Sequence, residues 1–418
     1  MCQVNLENNS NFMIMVDLSS AQPEGSILVN GGGAYAEKMF MEIIIKFSYL
    51  TITALLDSNK GTNKYINNII LKNNIKVYFY NNNIKMSEII NKECPDIIFF
   101  PVCYPKYSSV HINDSIKVIA TIHDLSSIYA SQWGFIKERY IDTIKNNIRQ
   151  LVKSTILKKY MYKKYIEDHK SICLLNSLET IITDSEYSRS AIQKYVPELR
   201  KSFEIMVLYP FLFNRQVEVS DLKVLQKFNL EQGMYYFFAS GSRWHKNNYF
   251  AIKAIDKEIQ RGHSRFADYK YIVSGIDNMH MKYYKKHIKS NNFIYTGYLS
   301  KPIYNLLIQK ARGFIYPSLF EGFGAPPVEA MRFGTVPICS NLTSIPEICG
   351  KAAIYFSPDN VNSFLRAVEK SFDDKKIDIL SKYGKERFKY IFERQYGDLE
   401  KLLYLLENFI QERGKTCL

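Results

Sequence analysis

The chain lacks the marks of several large protein classes. Its seven cysteines stand singly at 2, 94, 103, 173, 339, 349 and 417 with no C-x-x-C pair, which argues against a disulfide framework or a zinc knuckle and fits reduced thiols in a cytoplasmic protein. No stretch reaches the ~18 uninterrupted apolar residues of a membrane span, and MCQVNLENNSNFMIMVDL at the start has neither a basic opening nor the apolar run of a secretion signal. Membrane contact is therefore expected to be peripheral at most. The terminal KTCL has its Cys second from the end, not fourth, so it is no prenylation box. There is no D-x-D and no H-E-x-x-H, hence no obvious metal site of paired carboxylates or of zinc-protease type. No G-x-G-x-x-G follows the first strand-like run, which disfavours a dinucleotide-dependent dehydrogenase.

What is present is the balance of a soluble globular protein. Hydrophobic residues are 46% and charged residues 23% of 418, a length that suits two cores. Lys and Arg number 55 against 41 Asp and Glu, a formal +14, so an anionic partner is expected: nucleic acid, a phosphorylated small molecule or an acidic lipid surface.

Short apolar runs recur along the chain: FMIMV (12–16), TITALL (51–56), IKVYFY (75–80), DIIFF (96–100), KVIATI (117–122) and TIITDS (180–185). Several are continuous rather than alternating, as strands buried on both faces should be, and helix-length amphipathic segments such as AYAEKMFMEIIIKF lie between them. The pattern restarts with YYFFASG (235–241), KYIVSG (270–275), FIYTG (293–297), GFIYPS (313–318), TVPICS (335–340) and AIYFSP (353–358). This predicts an α/β protein of two parallel-sheet domains, 1–215 and 230–395, joined near 210–232. A helix over 396–418 has no strand left to serve, and we expect it to cross back to the first domain. In such doubly wound sheets ligands sit beyond the carboxyl ends of the strands, so the loops that follow strands carry the information.

One such loop reads FEGFGAPPVEAMRFG, 320–334. Pro326 and Pro327 suit the start of a helix and Gly334 its stop, which puts Glu321 on the loop and Glu329 in the first helical turn. Gly322 and Gly324 let a backbone come close to a ligand, and a helix N-terminus favours negative charge. A diphosphate fits there, with the two acids accepting hydrogen bonds from hydroxyls on either side of it. Taken alone, the same acids also read as a solvated loop carboxylate and a favourable first-turn charge.

Residues 313–358, GFIYPSLFEGFGAPPVEAMRFGTVPICSNLTSIPEICGKAAIYFSP, resemble the donor-binding segment of the retaining glycosyltransferases of family 4, with their Glu-seven residues-Glu motif. PSLFEGFG, the second Glu, the helix-ending Gly and S-x-x-x-S-x-P-E-x-x-G from Ser340 to Gly350 keep their order. The resemblance implies the GT-B fold, two Rossmann-like doubly wound parallel-sheet domains facing a central cleft, the first binding the acceptor and the second the nucleotide sugar. ASGSRWHKNN resembles the family's Arg-x-x-Lys-Asn, which assigns Arg243 and Lys246 to the diphosphate. NGGGAYAEKM resembles its N-terminal glycine loop and places Gly32 and Gly33 beside the diphosphate or acceptor, although a simple flexible turn explains these glycines as well. IATIHDLSSI supplies His123 for orienting the donor sugar, and TIITDSEYSRSAI resembles a further signature in which Ser185 and Arg189 read as capping and solvated residues or as acceptor-side groups. Glu321 would hold sugar hydroxyls, Glu329 the ribose, and the backbone at Phe323, Gly324 and Ala325 the sugar and phosphate. GTVPICS departs from the commonest family order of Val and Pro, and Asn248 stands where an apolar residue is frequent.

The resemblance implies retaining transfer of a sugar from a UDP- or GDP-sugar to a glycan or lipid-linked glycan, in the cytoplasm and for the cell surface. No cofactor and no metal are expected, because Arg243, Lys246 and helix N-termini can take the role of a divalent ion. Positioning and leaving-group stabilisation would carry the reaction without a protein nucleophile. Between Lys145 and Lys164 seven basic residues and no acid accompany apolar residues at helical spacing; this reads either as a solvated helix face or as a seat on an anionic membrane. Two other readings stay open: a non-hydrolysing sugar-nucleotide epimerase of the same fold, and a basic nucleic-acid-binding protein, for which no aromatic-and-basic recognition motif is present.

Overall fold

Continuous apolar runs such as Ile97–Phe100 and Tyr235–Phe238 have no polar face to turn to water, so they are stable as strands only when covered on both sides. In the computed structural model, which describes residues 12–23, 31–104, 107, 109–125, 178–195, 204–214, 218–239 and 242–416, both are fully buried inside parallel sheets. The chain divides into two compact units, one built from residues up to Leu125, from 178 to Phe213 and from Glu393 onward, the other from Asn214–Phe392.

The first unit holds a sheet of β1 (Met13–Asp17), β2 (Thr51–Asp57), β3 (Lys76–Tyr80), β4 (Ile97–Phe100), β5 (Lys117–Thr121), β6 (Leu178–Thr183) and β7 (Glu204–Val207), in the order β3-β2-β1-β4-β5-β6-β7 and parallel throughout. Its helices include α1 (Gly31–Lys46), α2 (Lys64–Lys72), α3 (Asn83–Glu93) and α4 (Glu186–Tyr195). Asn63 and Asn82 accept backbone N–H bonds at the starts of α2 and α3, and Ser185 does so for α4.

The second unit repeats the plan with β8 (Tyr235–Phe238), β9 (Lys270–Val273), β10 (Phe293–Tyr295), β11 (Gly313–Tyr316), β12 (Val336–Ser340) and β13 (Ile354–Phe356), in the order β10-β9-β8-β11-β12-β13, again parallel. Around it lie α5 (Lys223–Lys227), α6 (Asn248–Gln260), α7 (Ser264–Ala267), α8 (Asn278–His287), α9 (Lys301–Gln309), α10 (Ala325–Phe333), α11 (Ile345–Cys349) and α12 (Val361–Lys370). Pro337, which has no N–H to give, lies on β12 just before the residues Ile338–Ser340 that pair with β13. Strand order reverses between β1 and β4 and again between β8 and β11, so each sheet has a switch point at which loops diverge and a ligand can enter.

The last helix, α13 (Asp374–Thr416), starts in the second unit, and from Glu393 its residues count with the first. There Leu399, Leu402, Leu406, Phe409 and Ile410 join the core with Phe12, Ile14, Phe40 and Ile97. Gln395 bonds the backbone of Leu212 and Phe213, and Asp398 accepts the Tyr209 N–H. No helix among the described residues is long and apolar enough to cross a membrane. The basic segment 145–164 lies outside the described residues.

Candidate active site

At the switch point of the second unit the loop after β8 meets the loop after β11, and Leu319 N–H donates to the His245 carbonyl at 2.8 Å. Lys246 closes a short 3-10 turn, Trp244–Lys246, and its ammonium is almost wholly covered. It donates to Glu321 Oε1 at 2.5 Å and to the Tyr316 hydroxyl at 2.6 Å. Tyr316 and Ser318 in turn donate to the same Oε1 at 2.6 and 2.5 Å. One carboxylate oxygen therefore takes three donors, a cation among them, while Oε2 takes none among the described residues. Burial pushes the Glu321 carboxyl up, but the Lys246 charge and these bonds outweigh it and hold the group below the ordinary carboxylate range. Glu321 is thus an ionised carboxylate held by three donors, and Lys246 is occupied by it.

Arg243 precedes the same turn, and its guanidinium has no bonded partner among the described residues. His245, between the two cations, stacks on Phe320 with ring centroids 5.0 Å apart. Burial and then Lys246 push its pKa down to about 3, so the ring is neutral at ordinary pH. Phe323 is buried and Gly324 takes a φ of +91° that lets the chain turn directly into α10. Ala325 is the first residue of α10, so Glu329 is the fifth and lies beyond the first turn in which the Pro pair had placed it. Its carboxylate pairs with Lys301 on α9 and takes part in a hydrogen bond with the Tyr304 hydroxyl. Lys246, Glu321, Arg243 and the start of α10 share one end of this sheet, and Glu329 follows one turn along the helix.

The remaining expected residues belong to the first unit. Gly32 and Gly33 are not in a loop: with Gly31 they form the opening turn of α1, where Gly33 is buried. His123 follows β5, and both ring nitrogens are engaged: Nδ1 lies 2.8 Å from Asp184 Oδ2 and Nε2 3.0 Å from the Pro101 carbonyl. A carbonyl only accepts, so Nε2 carries a proton. The pair is then either an imidazolium beside a carboxylate or a neutral imidazole accepting from protonated Asp184. Both forms hold one proton more than a neutral ring beside a carboxylate. Burial lowers the His123 pKa, the Asp184 charge and bond raise it further, and the result lies above the ordinary histidine value; burial likewise raises Asp184. The Tyr35 ring meets His123 edge-on at 5.0 Å. Arg189 pairs with Glu186 one turn back.

Sequence reasoning missed Tyr316, Ser318, His245, Asp184 and Thr343, whose Oγ1 receives the Glu321 N–H at 3.0 Å. Ser318, a small polar residue inside the apolar exit of β11, was the one readable signal. Among the described residues no group of three His, Cys, Asp or Glu is placed to hold a metal ion.

Residues 234–374 match the family model described as glycosyl transferases group 1. Over this segment the chain is similar to the group 1 glycosyl transferases. It contains Arg243, Lys246, Glu321, Phe323–Ala325 and Glu329, so the assembled end of the second sheet lies inside the family's own region. Among curated relatives, the O-antigen chain mannosyltransferase B of Escherichia coli is 29% identical over 207 residues, 48% of this chain and 53% of that protein. The serotype-specific mannosyltransferase WbdA of Escherichia coli is 32% identical over 124 residues, 30% of this chain and 15% of that protein. The matches to these relatives thus span about half of the one and a small part of the other. Among solved structures, the sucrose-phosphate synthase of Thermosynechococcus elongatus has a TM-score of 0.67 at 13% identity, covering 96% of this chain and 100% of that one. HepE of Anabaena, in complex with UDP and glucose, has a TM-score of 0.64 at 12% identity, covering 95% and 100%. The fold is GT-B, as the resemblance implied.

Proposed function

We propose that the protein transfers a hexose, mannose being the first candidate, from a nucleoside diphosphate sugar to a glycan or lipid-linked glycan. The observation that carries this reading is the Glu321 carboxylate locked by Lys246, Tyr316 and Ser318 at the switch point of a group 1 segment. Oε1 is saturated, which leaves Oε2 to accept hydroxyls of the hexose. The donor diphosphate lies against the start of α10, where the backbone of Phe323, Gly324 and Ala325 and the helix dipole favour negative charge. Arg243 supplies the cation that neutralises the leaving diphosphate, with Lys246 close behind it. Glu329 accepts the ribose hydroxyls while remaining paired with Lys301.

On this reading the acceptor attacks from the face that the diphosphate leaves, the configuration is retained, and neither a protein nucleophile nor a metal is required. Mannose is favoured by the names of the curated relatives, both mannosyltransferases, and a nucleotide donor by the UDP bound to the Anabaena neighbour. On this reading synthesis takes place in the cytoplasm, at the inner face of a membrane, and the name of one relative, an O-antigen chain mannosyltransferase, supports a cell-surface glycan as the product. The first test is thermal stabilisation by UDP-, GDP-, ADP- and CMP-sugars, followed by transfer assays on glycans with the sugar that binds. One nucleotide should raise the melting temperature by several degrees at saturating concentration. No stabilisation by any of them overturns the reading, and an isomerised sugar formed without acceptor selects the epimerase instead.

A further inference from the structure

Thr343 has a φ of +56°, in the left-handed region. A β-branched side chain there crowds its own backbone, and such a residue persists only where its surroundings hold it. The Glu321 N–H donates to Thr343 Oγ1 at 3.0 Å, and the next residue, the fully buried Ser344, donates its hydroxyl to the Glu321 carbonyl at 3.0 Å. Two side chains of one turn, between β12 and α11, thus grip both polar groups of the Glu321 backbone. Three residues earlier Ser340 donates to the Ser318 carbonyl at 2.5 Å, so the same segment also holds the residue whose hydroxyl meets the carboxylate.

A glycine would fill a left-handed turn without crowding. What threonine adds at this position is therefore its hydroxyl, delivered to one backbone N–H. We propose that Thr343 is a positioning residue: its hydroxyl fixes the Glu321 peptide so that Oε2, the oxygen not used by Lys246, Tyr316 and Ser318, stays aimed at the hexose. This rests on the donor-site reading above and deepens it. The carboxylate is pinned at Oε1 and the peptide at N and O, so rotation of the side chain about its own bonds is closed off from both ends. Removing the Thr343 hydroxyl releases the Glu321 N–H alone and leaves the Ser344 bond to the carbonyl, the charge and the ion pair in place.

Three substitutions separate hydroxyl from strain. Thr343→Ser keeps the hydroxyl, Thr343→Val keeps the branched shape without it, and Thr343→Gly removes both hydroxyl and crowding. Amide exchange at Glu321 is followed in all three, together with kcat, KM and nucleoside diphosphate affinity. The expected result is faster Glu321 exchange in the Gly and Val variants, with kcat lowered on the order of ten- to hundredfold and diphosphate affinity within about threefold of wild type, since the phosphate contacts are untouched. Thr343→Ser restores both exchange and kcat. Should the Val variant fail to fold, the Gly variant, free of strain, carries the test. Unchanged Glu321 exchange in the Gly variant, or equal losses of turnover and diphosphate binding, overturns the proposal. A wild-type protein that turns over no nucleotide sugar fails the donor-site reading instead, and Glu321 exchange then decides whether the grip exists.

Discussion

Arg243 and Glu329 are expected to fail in different ways when shortened. Arg243 carries a cation unspent on any described partner, and on the proposed reading it meets charge that grows as the diphosphate leaves, so Arg243→Ala should lower kcat by roughly a hundredfold or more with a smaller change in nucleotide affinity. On the same reading Glu329 holds the ribose before and during the reaction alike, so steady-state kinetics of Glu329→Ala should show the loss mainly as weaker donor binding. The two half-buried histidines give opposite pH signatures. His123 has a folded pKa above its ordinary 6.5, so its contribution is full below that value and is lost as pH rises through the folded value. The groups facing it among the described residues are Asp184, Asp124 and the Tyr35 ring. His245, pushed down to about 3, contributes fully above 6.5 and loses its contribution as pH falls toward 3. Melting temperature against pH should therefore flatten on the alkaline side in Asp184→Asn and on the acid side in His245→Gln. Curves parallel to wild type in both variants would contradict the assigned states.

At the scale of elements, α10 shows how far a motif can be read. Gly334 ends it with a φ of +79°, as its place after an amphipathic run predicts. A Cβ there would lie 2.5 Å from Ser381 Oγ and 2.6 Å from Lys385 Cε on α13, besides forcing a left-handed residue. Gly334→Ala should cost about 1–2 kcal/mol from the backbone alone, measurable by denaturant unfolding, and a neutral substitution would contradict the cap. The N-terminus was less legible: Pro326 and Pro327 signalled a start, but Gly324 at +91° lets the helix begin one residue before them, which moves Glu329 past the first turn. The strands were legible because burial on both faces demands unbroken apolar runs, as in Ile97–Phe100. Strand β7, four residues opening with an exposed glutamate at the sheet edge, carries no such run and was missed. Helix α1 was legible from AYAEKMFMEIIIKF but its start was not: three glycines suggested a loop, and the helix starts on the first of them.

At the scale of the whole molecule, the contacts that make the site are set by strand order, which no local pattern encodes. Lys246 reaches Tyr316 and Glu321 across 70 and 75 residues of sequence because β8 and β11 are neighbours in the sheet. His123 finds Asp184 across 61 residues because β5 lies beside β6. Residue types and loop positions were readable; their partners were not. The last helix is equally non-local: Leu406, fully buried, completes a core begun by Phe12 and Ile14. Leu406→Ala should cost about 2–5 kcal/mol of unfolding free energy, and a surface-like effect would contradict that packing. The central claim is that Glu321, fixed by Lys246, holds a hexose whose diphosphate leaves without help from a metal. Release of nucleoside diphosphate from each candidate nucleotide hexose, measured with a metal chelator present in wild type and Glu321→Gln, tests it most directly. The account predicts release from one donor by the wild type and at least a hundredfold slower release by the variant; no release from any donor, or equal rates in the two proteins, would contradict it.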